Sequence, residues 1–294
     1  MPEKRIIRIG TRGSDLALWQ ANFVKSSLEH IGEQVEIIII HTRGDKIQDL
    51  SFDKLEGKGF FTKEIEQALL QNEIDLAVHS HKDLETTSPE GLIIAAVSDR
   101  EDPSELLLVR NESIDKSQKW QLKNSATIGT SSARRKSQIL THRPDLIIKD
   151  LRGNVPTRIQ KLRDGHYDAI LLAKAGVNRL QLDLSDLFCV TLDPNEFVPA
   201  PAQGVLGLQI RSNDSTLQEI LGELNHAETK DKIDIERGVL KKMDGGCQLP
   251  LGVISSGPKT YVSYSRNSNE SAHYFSFDND EFVVEKIVGY LKSI

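Results

Sequence analysis

At 294 residues, with 38% apolar and 27% charged side chains and a net charge of −6, the chain has the composition of a soluble globular protein of two or three domains. Its two cysteines exclude a disulfide framework, no apolar run is long enough to span a bilayer, and no CxxC, HExxH or clustered His/Cys spacing argues for zinc. The start, Met1-Pro2-Glu3-Lys4-Arg5, has no apolar signal region, so a cytoplasmic protein is expected.

Residues 5–9 read as a strand, followed by Thr11-Arg12-Gly13-Ser14 and an amphipathic helix with Leu16, Trp19, Phe23, Val24, Leu28 and Ile31 on one stripe. Ser14 or Asp15 suits its N-cap. Residues 35–40 read as a buried strand, 44–59 as a mobile loop, 60–71 as a helix, and 74–78 and 92–97 as strands. The polar run 98–104 ends a first unit. Strands are then expected at 105–109, 127–129, 146–149 and 169–173, with helices at 131–140 and 155–162. Cys189, after Leu187-Phe188, reads as part of a core strand, and 194–203, with Pro199 and Pro201, as a second crossover. Beyond residue 218 the texture changes. A helix over 233–243 stops near Gly245, strands follow at 253–256, 261–265 and 274–277, and a helix over 282–291 closes a small α+β domain.

Three features carry chemistry. The first is Cys247, in the loop Asp244-Gly245-Gly246-Cys247-Gln248-Leu249-Pro250, where a thiol on irregular backbone can react. The second is Asp75-Leu76-Ala77-Val78 running into His79-Ser80-His81-Lys82-Asp83, an apolar strand ending in a polar cluster. Asp83, beside the Lys82 cation, either caps a turn or stabilises a developing cation and relays a proton. His79 and His81 make too weak a pattern for a metal pair. The third is charge: residues 131–163 hold nine Lys/Arg against Asp145 and Asp150, so this stretch is +7 while the remainder is −13. It reads either as a solvated helix face or as the site of a specific anionic ligand, since a broadly acidic surface repels nucleic acid. Arginine forks at 12, 134, 135, 152 and 158 suit several carboxylates, whereas phosphate lacks its Walker or GxGxxG signature.

Ile9-Gly10-Thr11 and Ile128-Gly129-Thr130 each precede a helix start. The echo is either chance or the mark of two similar α/β domains holding a ligand at their strand C-termini.

The chain resembles the porphobilinogen deaminase family. The matching runs include Thr11-Arg12-Gly13-Ser14-Asp15-Leu16-Ala17-Leu18-Trp19, Thr42-Arg43-Gly44-Asp45, Gly57-Lys58-Gly59-Phe60-Phe61 and Val78-His79-Ser80-His81-Lys82-Asp83. Arg100-Glu101-Asp102-Pro103, Gly129-Thr130-Ser131-Ser132-Ala133-Arg134-Arg135, Leu151-Arg152-Gly153-Asn154-Val155 and Gly245-Gly246-Cys247-Gln248-Leu249-Pro250 continue the series in order. The resemblance implies two periplasmic-binding-protein-like α/β domains with a cleft between them and a small α+β C-terminal domain. Their expected extents are 1–98 plus about 203–220, 104–198, and 222–294.

It further implies a transferase that joins four porphobilinogen molecules head to tail into hydroxymethylbilane, releasing ammonia, on a dipyrromethane primer tethered by a thioether to Cys247. Asp83 is then the catalytic residue, helping ammonia leave and stabilising the cationic azafulvene. Lys82, Asp83, Ser132, Arg134 and Arg135 are expected to hold the cofactor. Arg12, Ser14, Phe61, Arg152, Arg158 and Arg179 are expected to line the substrate site, with the +7 segment as a cradle for acidic arms and the irregular 45–59 stretch as a lid. A monomer without metal, nucleic acid or membrane partner is expected, passing its product to uroporphyrinogen-III synthase. His81, Glu85, Pro199-Ala200-Pro201-Ala202 and the 47 residues after Cys247 depart from the family pattern. Rival readings are a two-lobed anion-binding solute receptor, which the lack of a signal segment disfavours, and the effector-binding half of a transcription regulator, which lacks its helix-turn-helix. Neither explains Gly-Gly-Cys.

Overall fold

The computed structural model describes residues 5–42, 62–246 and 248–294. Contacts divide the chain into two compact units, Met1–Glu101 with Val205–Asp231, and Asp102–Gly204 with Lys232–Ile294. The first unit opens with β1 (Ile6–Thr11), α1 (Asp15–His30), β2 (Gln34–Ile39), α2 (Lys63–Leu70), β3 (Leu76–Ser80) and β4 (Leu92–Val97). Ser14 is the N-cap of α1, its hydroxyl accepting from Ala17 N, and Ala21, Val24 and Leu28 form the buried stripe. The strand expected over 35–40 is present as β2, but it is not buried. It pairs only with β1, and Ile39 is 49% exposed, because an edge strand has one neighbour and partial cover.

The second unit begins with β5 (Glu105–Arg110), β6 (Thr127–Gly129), α3 (Ala133–His142), β7 (Ile147–Lys149), α4 (Val155–Arg163), β8 (Ala169–Ala173), α5 (Lys174–Leu180) and β9 (Leu187–Leu192). β10 (Leu206–Arg211) and α6 (Ser215–Gly222) then return to the first unit. The two sheets have the same plan. One runs β2-β1-β3-β10-β4 and the other β7-β6-β8-β5-β9. In each, the first three strands are parallel, and the fourth, antiparallel to both its neighbours, is the strand that enters from a crossover. Helices cover both faces, so the central strands are continuous apolar runs such as Leu107, Leu108 and Val109.

The short sequence echo is therefore architectural. Gly10 pairs with Ala77 as Gly129 pairs with Ile170. A Cβ on Gly10 would lie 2.2 Å from Ile74 Cδ1, and one on Gly129 would lie 2.8 Å from Tyr167 Cδ1. Each glycine admits the side chain that precedes a paired aspartate. Asp75 N donates to Arg8 O at 2.8 Å while Arg8 N donates to Asp75 Oδ2 at 3.1 Å. Asp168 N donates to Thr127 O at 2.9 Å while Thr127 N donates to Asp168 Oδ2 at 2.8 Å.

Cys189 is the chief disagreement with the sequence reading. It lies on β9, an edge strand paired only with β5, and is exposed rather than packed in a core. The tail forms α7 (Ala227–Lys242), an antiparallel sheet β11 (Leu251–Ser256), β12 (Lys259–Tyr264) and β13 (His273–Asp278), and α8 (Val283–Ser293). Val239, Val253, Val262, Ile287 and Leu291 make its core. Glu236 on α7 is fully buried, accepting from Ala202 N at 2.7 Å and Ser255 N at 2.9 Å, so it ties this small sheet to the second crossover.

Candidate functional site

In the first unit four expected site residues collect at the C-terminal ends of two neighbouring parallel strands, where open α/β sheets bind ligands. Arg12 and Ser14 follow β1, while Lys82 and Asp83 form a short 3-10 turn, His81–Asp83, directly after β3. Gln20 on α1 donates to Ser80 Oγ at 2.8 Å, fixing the helix against the end of β3. The turn leaves Asp83 exposed and Lys82 half-buried, whereas His81 is buried and its N–H donates to Val205 O at 2.9 Å. His79 faces the interior. Its ring shares a hydrogen bond with Gln209 Oε1 at 3.1 Å, and Gln209 donates onward to Glu66 Oε1 at 3.1 Å. Burial pushes the imidazole down to about 4, the Gln209 bond opposing, so it is neutral at pH 7.

In the second unit the expected residues again follow parallel strands. Ser132 caps α3 after β6, its hydroxyl accepting from Arg135 N at 3.4 Å. Arg134 and Arg135 lie in the first turn of α3, each 6% exposed. They share one carboxylate: Arg134 Nη2 donates to Glu105 Oε1 and Arg135 Nη2 to Glu105 Oε2, both at 2.6 Å. The other ends of the forks reach Val198 O and Leu171 O, both at 2.9 Å. Ser131 and Leu151 exchange hydrogen bonds at 3.1 Å, which anchors the loop that presents Arg152. That loop turns at Gly153, φ +112°, where a Cβ would lie 2.7 Å from Thr157 Cγ2, and Asn154 then caps α4. Arg158 Nε donates to Gly153 O at 2.7 Å, and buried Arg179 on α5 donates to Gly204 O at 2.7 Å.

The +7 stretch is not one patch. Arg143 binds Asp145 and the carbonyls of Lys119, Leu122 and Lys123, and Arg163 binds Asp186, so both serve the fold. Lys136 pairs with Asp150 at 2.8 Å. What suits an acidic ligand is the α3 start. Two buried guanidiniums face a single carboxylate, and Arg135 Nε–H is buried with no acceptor among the described residues. A donor of that kind fits the carboxylate arms of a dipyrromethane. Cys247, Phe61 and the 45–59 stretch lie outside the described residues. Sequence reasoning passed over Glu105, Gln203 and Glu236. The one available signal was an acid opening the apolar run Glu105-Leu106-Leu107-Leu108-Val109.

The family model described as porphobilinogen deaminase, dipyromethane cofactor binding domain, matches residues 7–219. Curated relatives named porphobilinogen deaminase include that of Trichlorobacter lovleyi, 47% identical over 269 residues, covering 90% of this chain and 84% of that protein. The relative from Nitratidesulfovibrio vulgaris is 46% identical over 259 residues, 86% of this chain and 80% of that one. Among solved structures, the periplasmic VFT2 domain of Bordetella pertussis BvgS has a TM-score of 0.45 at 13% identity, over 79% of this chain and 92% of that chain. That likeness decides nothing about function.

Proposed function

The chain belongs to the porphobilinogen deaminase family, and from that premise we propose how its residues divide the work of a deaminating transferase of tetrapyrrole biosynthesis. The observation that carries the activity is the cofactor-domain match across residues 7–219, which takes in both five-stranded sheets. The substrate is porphobilinogen, four of which become hydroxymethylbilane. When bound, dipyrromethane supplies the pyrrole end on which the chain grows, and Cys247 is the residue proposed to tether it.

Ser132, Arg134, Arg135 and Lys82 hold its acidic arms. The buried guanidiniums are effective because a carboxylate leaving water for this site meets charge-assisted donors instead of apolar surface. Asp83, exposed at the end of β3, offers its carboxylate oxygens to pyrrole nitrogens and to the positive charge that develops as ammonia leaves. Arg12, Ser14, Phe61, Arg152, Arg158 and Arg179 receive substrate and product carboxylates or pack beside the rings. Three domains, a monomeric state, a cytoplasmic location and transfer of the product to uroporphyrinogen-III synthase complete the reading. Among the described residues no helix is long and apolar enough to cross a membrane.

The test is intact mass. The purified chain should exceed its sequence mass by one dipyrromethane, and Cys247→Ala should remove the excess. An excess that survives the substitution rejects Cys247 as the tether. Asp83→Asn should retain the fold and lose at least ~100-fold in turnover, the low end of what a positioned acid–base group contributes.

A further inference from the structure

The start of α3 breaks two local rules at once. Helix N-termini carry a positive partial charge and favour acids in the first turn, as Asp15 illustrates in α1. The first turn of α3 holds no acid and two arginines. Their side chains are only 7% and 8% exposed, and the carboxylate between them is 0% exposed. Three buried charges therefore sum to +1 beside a positive helix end. Burial lowers the pKa of Arg134, Glu105 opposes this, and Arg135 adds to the lowering. An arrangement that strains electrostatics in this way is the mark of a site completed by a ligand.

Glu105 is the first residue of β5, where the chain leaves the first crossover. Gln203, in the second crossover, donates from Nε2 to Glu105 Oε1 at 3.2 Å and to Pro103 O at 2.7 Å. One carboxylate thus joins both arginine forks to both crossover segments.

We propose that Glu105 is a positioning residue for the acidic cofactor. It fixes the paired guanidiniums by one N–H each, alongside their bonds to Val198 O and Leu171 O, leaves the remaining N–H groups, Arg135 Nε–H among them, for ligand carboxylates, and keeps the cluster at a net +1 that a bound anion neutralises. The inference rests on the reading of Arg134 and Arg135 as cofactor contacts. Neutral glutamine at position 105 would accept from one fork and turn its own N–H₂ toward the other, so one guanidinium would lose its aim and the cluster would become +2.

The test uses the full-length chain, expressed without cofactor and then given porphobilinogen, with loading followed by intact mass. Glu105→Gln should load at least roughly tenfold more slowly, the loss expected for one misaimed charge-assisted contact. Glu105→Asp, which restores the charge but is one methylene too short to meet both forks, should recover only part of the rate. Thermal unfolding supplies the second readout. Glu105→Gln should lower the melting temperature of the unloaded chain more than that of the loaded chain, since bound carboxylates offset the added charge. A wild-type loading rate in Glu105→Gln, or equal loss in both forms, overturns the proposal. Arg135→Gln separates the two readings: slow loading there with normal loading in Glu105→Gln removes only the role of Glu105, while normal loading in both also removes the cofactor role of Arg135.

Discussion

His79 makes a sharp test of the interior of the first unit. It is 6% exposed on β3 and bonded through Gln209 to Glu66. The Gln209 amide nitrogen donates to Glu66, so its oxygen accepts from His79 Nε2–H, which fixes the neutral tautomer. Burial lowers the imidazole pKa from 6.5 to about 4. The unfolded chain therefore binds a proton near pH 6.5 that the native chain refuses until about pH 4, and stability falls as pH drops through that window. Each pH unit inside it removes about 1.4 kcal/mol, which gives roughly 2 kcal/mol between pH 7 and pH 5 and about 3 kcal/mol in full. At a urea slope of about 2 kcal/mol/M the midpoint should move by about 1 M from this group alone. His79→Gln keeps an N–H donor for Gln209 but has no titrating ring. Urea unfolding of wild type and variant at pH 7 and pH 5 isolates the effect, because every other acid-sensitive group is shared. Equal losses in the two proteins would refute the buried neutral histidine.

Asp75→Asn removes a fully buried carboxylate that receives Arg5, Arg8 and Arg211. Burial raises its pKa but the arginine bonds outweigh it, so it titrates well below ordinary carboxylates, and its contribution is present at neutral pH and lost in acid. Breaking a buried pair costs about 3–5 kcal/mol, and because Arg5 and Arg8 can turn to solvent we expect ~2–4 kcal/mol by chemical denaturation. Gly129→Ala places a methyl 2.8 Å from Tyr167 and should cost about 1–3 kcal/mol, with normal stability showing that the strand pair can part. Arg152→Ala should shift the distribution of enzyme-bound intermediates toward short chains in mass spectra; an unchanged distribution counts against its part in receiving acidic arms.

Much of the fold was legible because apolar periodicity is a local property. The runs at 106–109 and 169–173 are short and apolar on both faces, as the central strands of a helix-covered sheet are. The motifs likewise located the strand-end residues, Asp83, Arg134 and Arg152, since short loops after parallel strands must lie at one end of a sheet. What stayed hidden depends on partners far along the chain. The strand at 35–40 and Cys189 look buried in sequence, but both lie at sheet edges, and edge position is decided by strand order. The apparent +7 patch divides for the same reason: Arg143 meets backbone carbonyls 20–24 positions away, while Arg134 meets Glu105 at a separation of 29. Sequence alone thus determined most of the elements and the polar residues at the strand ends, while the shared strand order of the two sheets made the short echo a repeat. Only the tertiary structure decided which charges are neutralised, because a buried ion pair joins residues that no local pattern links.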